Sequence, residues 1–252
     1  MLITIFFVLG LIIGSFLNVC IYRIPLGKPI SYPPSFCPNC GKGLKARDLI
    51  PIFSYLAILG KCRQCGQSIS PRYPLVELLT GLLFGLVYLR VGLDFLLVKY
   101  LFFTSLMIVI TFIDIDHYII PDRLVIAGLV VGLVFMLLFP EPGWLSSIYG
   151  MLASAGFLLL LFVVSKGGMG GGDIKLALVL GLFLGWPLSL LGVFLACLIA
   201  GVFGMALIAG RRKKPKDMIP FGPFLALGSF LVSLWGNEII RWYAVNFLHL
   251  SP

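Results

Sequence analysis

The stretch Lys166-Gly-Gly-Met-Gly-Gly-Gly-Asp-Ile-Lys175 lies between two long apolar runs and has five glycines in the six positions before Asp173. Glycine can take a positive φ and lets another chain approach the backbone closely. An ionisable residue at the mouth of a membrane segment is a functional-site candidate. A second acidic stretch, Ile113-Asp-Ile-Asp-His-Tyr-Ile-Ile-Pro-Asp122, ends an earlier apolar run. We therefore expect the chain to bring Asp114 and Asp173 together at one face of a membrane.

The composition predicts an all-α membrane protein. The chain has 252 residues, of which 60% are hydrophobic and 12% charged, and its mean hydropathy is +1.09. In lipid, every backbone polar group must be hydrogen-bonded within the protein, which favours membrane helices. The net charge of +9 would suit a nucleic-acid-binding protein. The positions of the cations argue against that class, and we expect no nucleic-acid partner.

Eight apolar segments bounded by turn residues predict about eight transmembrane helices. They cover residues 1–22, 74–91, 95–113, 122–139, 145–165, 173–186, 188–210 and 219–236, with an amphipathic tail to 248. The first segment could be confused with a cleaved signal peptide. No basic residue precedes it, and Arg23 follows it, which favours an uncleaved anchor with its N-terminus outside.

The Lys and Arg residues set the predicted orientation, because they concentrate in cytoplasmic loops. With the N-terminus outside, 16 of the 19 fall in inner loops or at inner helix ends, and only Arg90, Lys99 and Arg241 fall outside. The inner set is Arg23, Lys28, Lys42, Lys45, Arg47, Lys61, Arg63, Arg72, Arg123, Lys166, Lys175, Arg211, Arg212, Lys213, Lys214 and Lys216. This orientation puts both aspartates at the cytoplasmic boundary.

Residues 23–72 form the only long polar segment, and its seven prolines exclude one regular helix. It contains the pairs Cys37-Pro-Asn-Cys40 and Cys62-Arg-Gln-Cys65, which 21 residues separate. Glycine follows each pair, as in a zinc knuckle whose backbone turns sharply. Four thiolates suit tetrahedral zinc, and a cytoplasmic location disfavours disulfides. We predict a small domain with structural zinc; a redox-active pair or another soft metal is the alternative.

The two remaining cysteines, Cys20 and Cys197, lie in apolar runs and are predicted to be ordinary core residues.

The aspartate pair predicts acid–base chemistry. One carboxylate can act as base on a water molecule while the other donates a proton to a peptide carbonyl. Close carboxylates share one proton and titrate as a pair. Gly170, Gly171 and Gly172 would let a substrate strand lie against the backbone.

Other interpretations of these residues stay open. Both aspartates could simply cap helices, Asp173 as an N-cap. Asp116 could replace Asp114 as the catalytic member, while Asp122 suits a cap for the next helix and His117 a boundary residue. A phosphate-binding loop is excluded because Asp173 stands where Lys would be required, and a dinucleotide fingerprint lacks its preceding strand.

These residues resemble the bacterial prepilin peptidases, the bifunctional type IV leader peptidases. The resemblance rests on the two acidic stretches, on both cysteine pairs and on three further motifs. Those motifs are Gly14-Ser-Phe-Leu-Asn-Val-Cys-Ile-Tyr-Arg-Ile-Pro25, Arg72-Tyr-Pro-Leu-Val-Glu-Leu78 and Pro220-Phe-Gly-Pro-Phe224. Together they cover nearly the whole chain.

The resemblance implies an aspartic endopeptidase of the bacterial inner membrane, which cuts basic leaders from prepilins and pseudopilins after a glycine. It also implies N-methylation of the new N-terminal residue with S-adenosylmethionine. The catalytic aspartates would be Asp114 and Asp173, and the zinc ligands would be Cys37, Cys40, Cys62 and Cys65. Nothing in the sequence locates the methyl-donor site.

The expected domains are residues 1–94, with the first two helices and a zinc- and methyltransferase-associated loop at 23–72, and residues 95–252, the polytopic aspartic peptidase domain. The stretch before Cys37 is shorter than in many Gram-negative members, which leaves the pathway open. Three rival interpretations remain: a proton-coupled transporter, a non-catalytic assembly scaffold, and an intramembrane aspartic protease acting on other helices.

Overall fold

The regular structure of the chain is helical. The computed structural model describes residues 1–139, 141–166, 168–211, 214 and 218–247. A 3₁₀ turn at Ala46–Asp48 and two isolated β-bridges supplement the helices. The helices are α1 (Leu2–Arg23), α2 (Phe53–Ala57), α3 (Arg72–Val91), α4 (Phe95–His117), α5 (Asp122–Leu138), α6 (Trp144–Val164), α7 (Gly171–Leu184), α8 (Leu188–Ala209) and α9 (Gly222–Phe247).

The eight predicted apolar segments correspond one to one to α1 and α3–α9, which confirms the all-α class. Within the described ranges, six of them (α1, α3, α4, α6, α8 and α9) are long and apolar enough to cross a membrane. By that measure α5, with 17 residues, and α7, with 14, are too short. The predicted amphipathic tail is part of the last helix, because α9 continues unbroken to Phe247; residue 248 lies outside the described residues.

The chain divides into two compact units, residues 1–109 and 110–252. The boundary falls inside α4, because a continuous helix carries the chain from one unit into the other. The division predicted between residues 94 and 95 separates two functions and not two packed units, and it stays a prediction.

In the first unit, α1 and α3 pack antiparallel with their backbones close together. A Cβ added to Gly10 would lie 2.7 Å from the Cα of Gly81, and one on Gly14 would lie 2.8 Å from the Cα of Glu77. Closer to the loop that joins the two helices, the Asn18 side-chain amide donates to the Tyr73 carbonyl at 3.0 Å. Small residues therefore set the register of this helix pair.

Residues 24–71, called the cysteine module below, leave α1 through a proline-rich turn. Prolines supply carbonyl acceptors but no N–H donors, so the carbonyls of this turn need outside partners. Arg23, the buried last residue of α1, supplies them. Its guanidinium donates to the Pro33 carbonyl at 2.7 Å and to the Pro29 carbonyl at 3.1 Å. The exit from α1 is therefore fixed by one charged side chain.

In the second unit, α7 is the central helix and contacts α5, α6, α8 and α9. It is apolar on all sides, as expected of a helix surrounded by others, and its Leu176, Val179 and Leu180 are fully buried. Close packing against α6 requires Gly181, because a Cβ there would collide with the α6 backbone. The helix that follows the glycine-rich stretch is therefore held by its neighbours within this unit.

Candidate active site and cysteine cluster

Asp114 lies in the last turn of α4, and its side chain is buried, with 5% of the residue exposed. The backbone N–H of Gly222, the first residue of α9, donates to Asp114 Oδ2 at 2.8 Å. A Cβ added to Gly222 would lie 2.8 Å from the same oxygen. The start of α9 thus approaches Asp114 as closely as it does because residue 222 has no side chain.

Asp173 is the third residue of α7 and is 6% exposed. The N-cap of α7 is Gly170, not Asp173, and the Gly170 amide hydrogen-bonds back to the Asp173 carboxylate. This is the return half of a capping box. The capping interpretation of Asp173 therefore holds in part, but at the third helical position instead of the N-cap.

The two carboxylates interact electrostatically with each other. Each lies at a helix N-terminus, Asp114 against α9 and Asp173 within α7. Free N–H groups and the helix dipole favour negative charge at such ends. The site therefore holds two buried carboxyl groups, each with its own backbone N–H donor. Such a pair can supply one acid and one base.

Among the glycines before Asp173, Gly172 allows a close approach of another segment, and none of the described ones needs an unusual backbone angle. The described ones, Gly168 and Gly170 to Gly172, have no positive φ, whereas Lys166 does, at 52°. A Cβ added to Gly172 would lie 3.0 Å from the Ile120 side chain, and one on Gly170 would lie 3.3 Å from Asp173 Oδ2. Gly167 lies outside the described residues.

The other polar residues of the first acidic stretch lie elsewhere. Because α4 continues as a helix to His117, Asp114 and Asp116 point about 200° apart, and both Asp116 and His117 are exposed. The predicted capping role of Asp122 is wrong, because the N-cap of α5 is Pro121. Asp122 instead forms an exposed ion pair with Lys175, with 2.7 Å between Asp122 Oδ1 and Lys175 Nζ.

Gly222 and Glu77 make notable contacts and were given no role from the sequence alone. Gly222 is part of the Pro220–Phe224 motif, and a glycine beside a proline at a helix start could have indicated a close approach. Glu77 is a buried acidic residue in an apolar run, and it accepts the Ile52 N–H at 2.8 Å. Isolated ionisable residues in apolar helices are themselves a functional signal.

The four cysteines of the module form one cluster. The sulfur atoms of Cys37, Cys40, Cys62 and Cys65 all lie within 4.8 Å of one another. Each pair is held in the same turn: the N–H of Gly41 donates to the Cys37 carbonyl at 2.9 Å, and that of Gly66 to the Cys62 carbonyl at 2.9 Å. The expected sharp turns occur there, with φ of +70° and +71°.

The turns also prepare two of the four thiols for a metal ion, because thiolates are the form that binds metal. Backbone N–H donation, first from Cys40, lowers the pKa of the Cys37 thiol. The Gln67 N–H does the same for Cys65, lowering its pKa to about 6. Several thiolates this close together repel one another unless a cation lies between them. A four-sulfur set with this spacing therefore fits a tetrahedral zinc ion.

The remaining cysteines have no such environment. Cys20 is buried in α1, as predicted for a core residue, and Cys197 is half-buried in α8.

Comparison with known proteins assigns both halves of the chain. Residues 8–91 match the model of the bacterial peptidase A24 N-terminal domain, and residues 101–205 match that of the type IV leader peptidase family. Relatives named prepilin leader peptidase/N-methyltransferase cover almost the whole chain. The Bacillus subtilis protein is 38% identical over 96% of this chain and 98% of its own. The Aeromonas hydrophila protein is 36% identical over 96% of this chain and 93% of its own. The Pseudomonas aeruginosa protein is 35% identical over 93% of this chain and 91% of its own. No solved structure matched.

Proposed function

The chain belongs to the type IV leader peptidase family, an aspartic peptidase family, and we propose that it cleaves the leader from type IV prepilins or pseudopilins and methylates the new N-terminus. In this proposal Asp114 and Asp173 perform the cleavage, and S-adenosylmethionine supplies the methyl group. The relatives' names give both reactions, and the assignment to these residues is ours.

One observation carries the proposal: two carboxyl groups from distant parts of the chain lie buried, one in the last turn of α4 and one in the first turn of α7, near enough for the charge of one to act on the other. Burying acidic groups costs free energy unless they are paired or hydrogen-bonded. A fold gains nothing obvious from placing a second carboxylate beside the first. Pairs of this kind are typical of sites in which one group is the acid and the other the base.

Cleavage then follows the usual course for two carboxylates. The ionised member removes a proton from a water molecule, whose oxygen attacks the scissile carbonyl carbon. The protonated member donates to the carbonyl oxygen, and the amine leaves with a proton when the C–N bond breaks. Gly170 and Gly171 expose their backbone beside this site, and Gly172 follows them against Ile120. We propose that the substrate strand lies along Gly170, Gly171 and Gly172.

We propose that α5 and α7 also lie in the membrane, giving eight spans with the N-terminus outside. The two helices are short by length alone, but α7 is enclosed by four others and does not itself need to match the bilayer thickness. The excess of Lys and Arg in alternate loops supports this orientation. It places both aspartates at the cytoplasmic face of the bacterial inner membrane, where a basic leader would be presented.

For methyl transfer, the amine of the new N-terminus must be neutral and must attack the methyl carbon of the sulfonium donor. The C–S bond breaks, the C–N bond forms, and the amine loses a proton. We assign this reaction to the part of the chain that contains the cysteine module, because its model is a domain separate from the leader peptidase model.

Cys37, Cys40, Cys62 and Cys65 would hold a zinc ion with all four positions filled. A closed site leaves no place for water or substrate, so the metal would stabilise the module and take no part in either reaction. The two turns, and the lowered pKa values of the Cys37 and Cys65 thiols, favour binding.

A transporter remains the main rival from another class. It requires carboxylates along a path through the membrane. Asp114 and Asp173 instead lie in end turns of their helices. A scaffold would not need the carboxylates to be acidic.

Purified full-length protein in detergent, incubated with a prepilin, tests the proposal. Mass spectrometry should detect loss of the leader without S-adenosylmethionine, and addition of one methyl group only when it is present. An intact prepilin after prolonged incubation, with protein shown to be folded, would contradict the peptidase assignment.

A further inference from the structure

A short apolar segment is exposed in the middle of the polar cysteine module. It runs from Leu49 to Leu59 and includes α2, which buries none of its residues. The exposed fraction is 69% for Phe53, 62% for Leu56 and 85% for Leu59. Leu49 and Ile50 are also exposed. This succession of large apolar side chains, outside the candidate membrane helices, is a mark of an interaction surface.

The segment is held in an uncommon backbone conformation. Ile52 has a φ of 60°, which is rare for a β-branched residue. It is the centre of a three-residue turn that the Phe53 N–H closes by donating to the Pro51 carbonyl at 2.6 Å. At the other end of the segment, Leu59 has a φ of 50°. Such strained residues persist only where surrounding contacts impose them, and they concentrate at functional positions.

The contact that fixes the first turn comes from a candidate membrane helix. The Ile52 N–H donates to Glu77 Oε2 at 2.8 Å, and Glu77 lies in the second turn of α3. Glu77 is five residues beyond Arg72, where α3 begins, which corresponds to about 7 Å along the helix axis. The start of the segment is therefore held beside α3, deeper than the helix end, and not above it.

The charges around the segment suit anionic lipid headgroups. Between residues 24 and 71 the chain has six cations and one acidic residue, Asp48. The cations are Lys28, Lys42, Lys45, Arg47, Lys61 and Arg63. Arg47 and Lys61 lie two positions before and two positions after the apolar segment, and both are exposed. Zinc on four thiolates would leave part of this positive surplus in place. Apolar side chains bordered by cations are typical of elements that lie in a membrane interface.

We propose that the segment from Leu49 to Leu59 inserts its apolar side chains into the headgroup–acyl boundary of the bilayer, with the flanking cations on anionic headgroups. It would act as a monotopic anchor that keeps the cysteine module against the membrane face. The proposal is independent of the reactions assigned above. A second copy of the chain or a substrate helix could cover the same side chains, and the experiment distinguishes these occupants from lipid.

The test uses the full-length chain in nanodiscs that contain phosphatidylglycerol, with and without brominated acyl chains, which quench tryptophan. Phe53→Trp adds one fluorophore to the four native tryptophans, whose signal is subtracted with the parent protein. Gln64→Trp, at an exposed position between Cys62 and Cys65, is the matched control. We expect the added signal to be quenched at least about twofold more for Phe53→Trp than for Gln64→Trp.

A second measurement leaves the chain unmodified. A lipid carrying a diazirine in its acyl chain, once photolysed, should label peptides from 49–59 and spare those containing the cysteine pairs. Equal quenching of the two variants, together with an unlabelled segment, would overturn the proposal. So would cross-linking of a photoreactive residue at position 53 to a second copy or to a prepilin in place of lipid.

Discussion

Asp114 and Asp173 lie 59 positions apart in the sequence, and the charge of one acts on the other because the end of α4 lies near the starts of α7 and α9. Cys37 with Cys40, and Cys62 with Cys65, are by contrast each held within one short turn, and the two turns repeat the same hydrogen bonds. The aspartates depend on helix packing across the second unit. The cysteines depend on local backbone geometry in the first unit.

The difference indicates how each site should fail. Removing a charge from a preorganised pair removes the chemistry and leaves the helices packed. Removing a thiol leaves the backbone turn intact but weakens binding of the metal ion that would join the two turns. Changes at the aspartates should therefore affect rate, and changes in the module should affect local order.

The largest effect is expected from Asp114→Asn and Asp173→Asn. Each should reduce leader cleavage by about a thousandfold or more, because asparagine can neither hold the shared proton nor act as a base. Membrane insertion should persist, since both positions are at helix ends. Cleavage is measured by mass spectrometry of the product, and insertion by resistance to carbonate extraction.

Asp116→Asn is the matched control for this pair. Asp116 is in the same turn of α4 and is exposed, so its loss should be mild. If Asp114→Asn cleaved fully and Asp116→Asn did not cleave at all, the catalytic aspartate would be Asp116 and not Asp114.

Gly222→Ala should lower cleavage by about a hundredfold. The new Cβ would lie 2.8 Å from Asp114 Oδ2, so the carboxylate or the start of α9 must move, and small displacements of catalytic groups are costly. The comparison is Gly156→Ala in α6, where an added Cβ meets nothing within 4 Å. Equal activity of the two variants would show that the Gly222 contact does not position Asp114.

Cys37→Ser and Cys62→Ser should each lower the zinc content from about one ion per chain by at least tenfold. They should also accelerate hydrogen exchange in residues 36–44 and 61–68, because the two turns lose their shared ion. Cys197→Ser in α8 serves as a control with normal zinc. Freshly prepared parent protein without metal, and with all four module thiols open to alkylation, would end the zinc assignment.

The smallest effect concerns the ion pair between Asp48 and Arg63. The Arg63 guanidinium, with Nε 2.7 Å from Asp48 Oδ1, holds the pKa of that carboxyl below its usual range. A carboxyl with a lowered folded pKa adds stability above its unfolded pKa of about 3.9, and that stability is lost as pH falls through the folded value.

Hydrogen exchange in the module, compared between the parent and Asp48→Asn across pH, measures this contribution. Exchange in the variant should be slightly faster at neutral pH, and the difference should disappear well below about pH 4. The effect is small because Arg63 is partly exposed to solvent. A difference that persisted at pH 2 would show that Asp48 acts through something other than its charge.

The parts of the molecule that could be predicted are those with a short-range cause. Apolar length predicted eight helices, and the spacing of the cysteines predicted that their sulfurs cluster. Helix ends were accurate to within a few residues, except in α4 and α9. In α4 the helix continues to His117 although the segment becomes acidic after Ile113, because a polar helix end needs no lipid.

The parts that could not be predicted depend on distant segments. Nothing local to Gly222 shows that its N–H meets Asp114, since the two residues are 108 positions apart. The same is true of Glu77, whose partner is the N–H of a strained turn 25 positions earlier. The glycine-rich stretch suggested unusual φ values. A side chain at position 172 would instead crowd Ile120, a contact that only the packing reveals.

The central claim is that cleavage and methylation use separate parts of the chain, and assaying both reactions in one variant tests it most directly. Asp114→Asn is incubated with S-adenosylmethionine and a pilin from which the leader has already been removed, and methyl addition is followed by mass spectrometry. We predict a methylation rate within about twofold of the parent, beside the thousandfold loss of cleavage expected above. Loss of methylation as severe as the loss of cleavage would contradict the account and indicate one shared site.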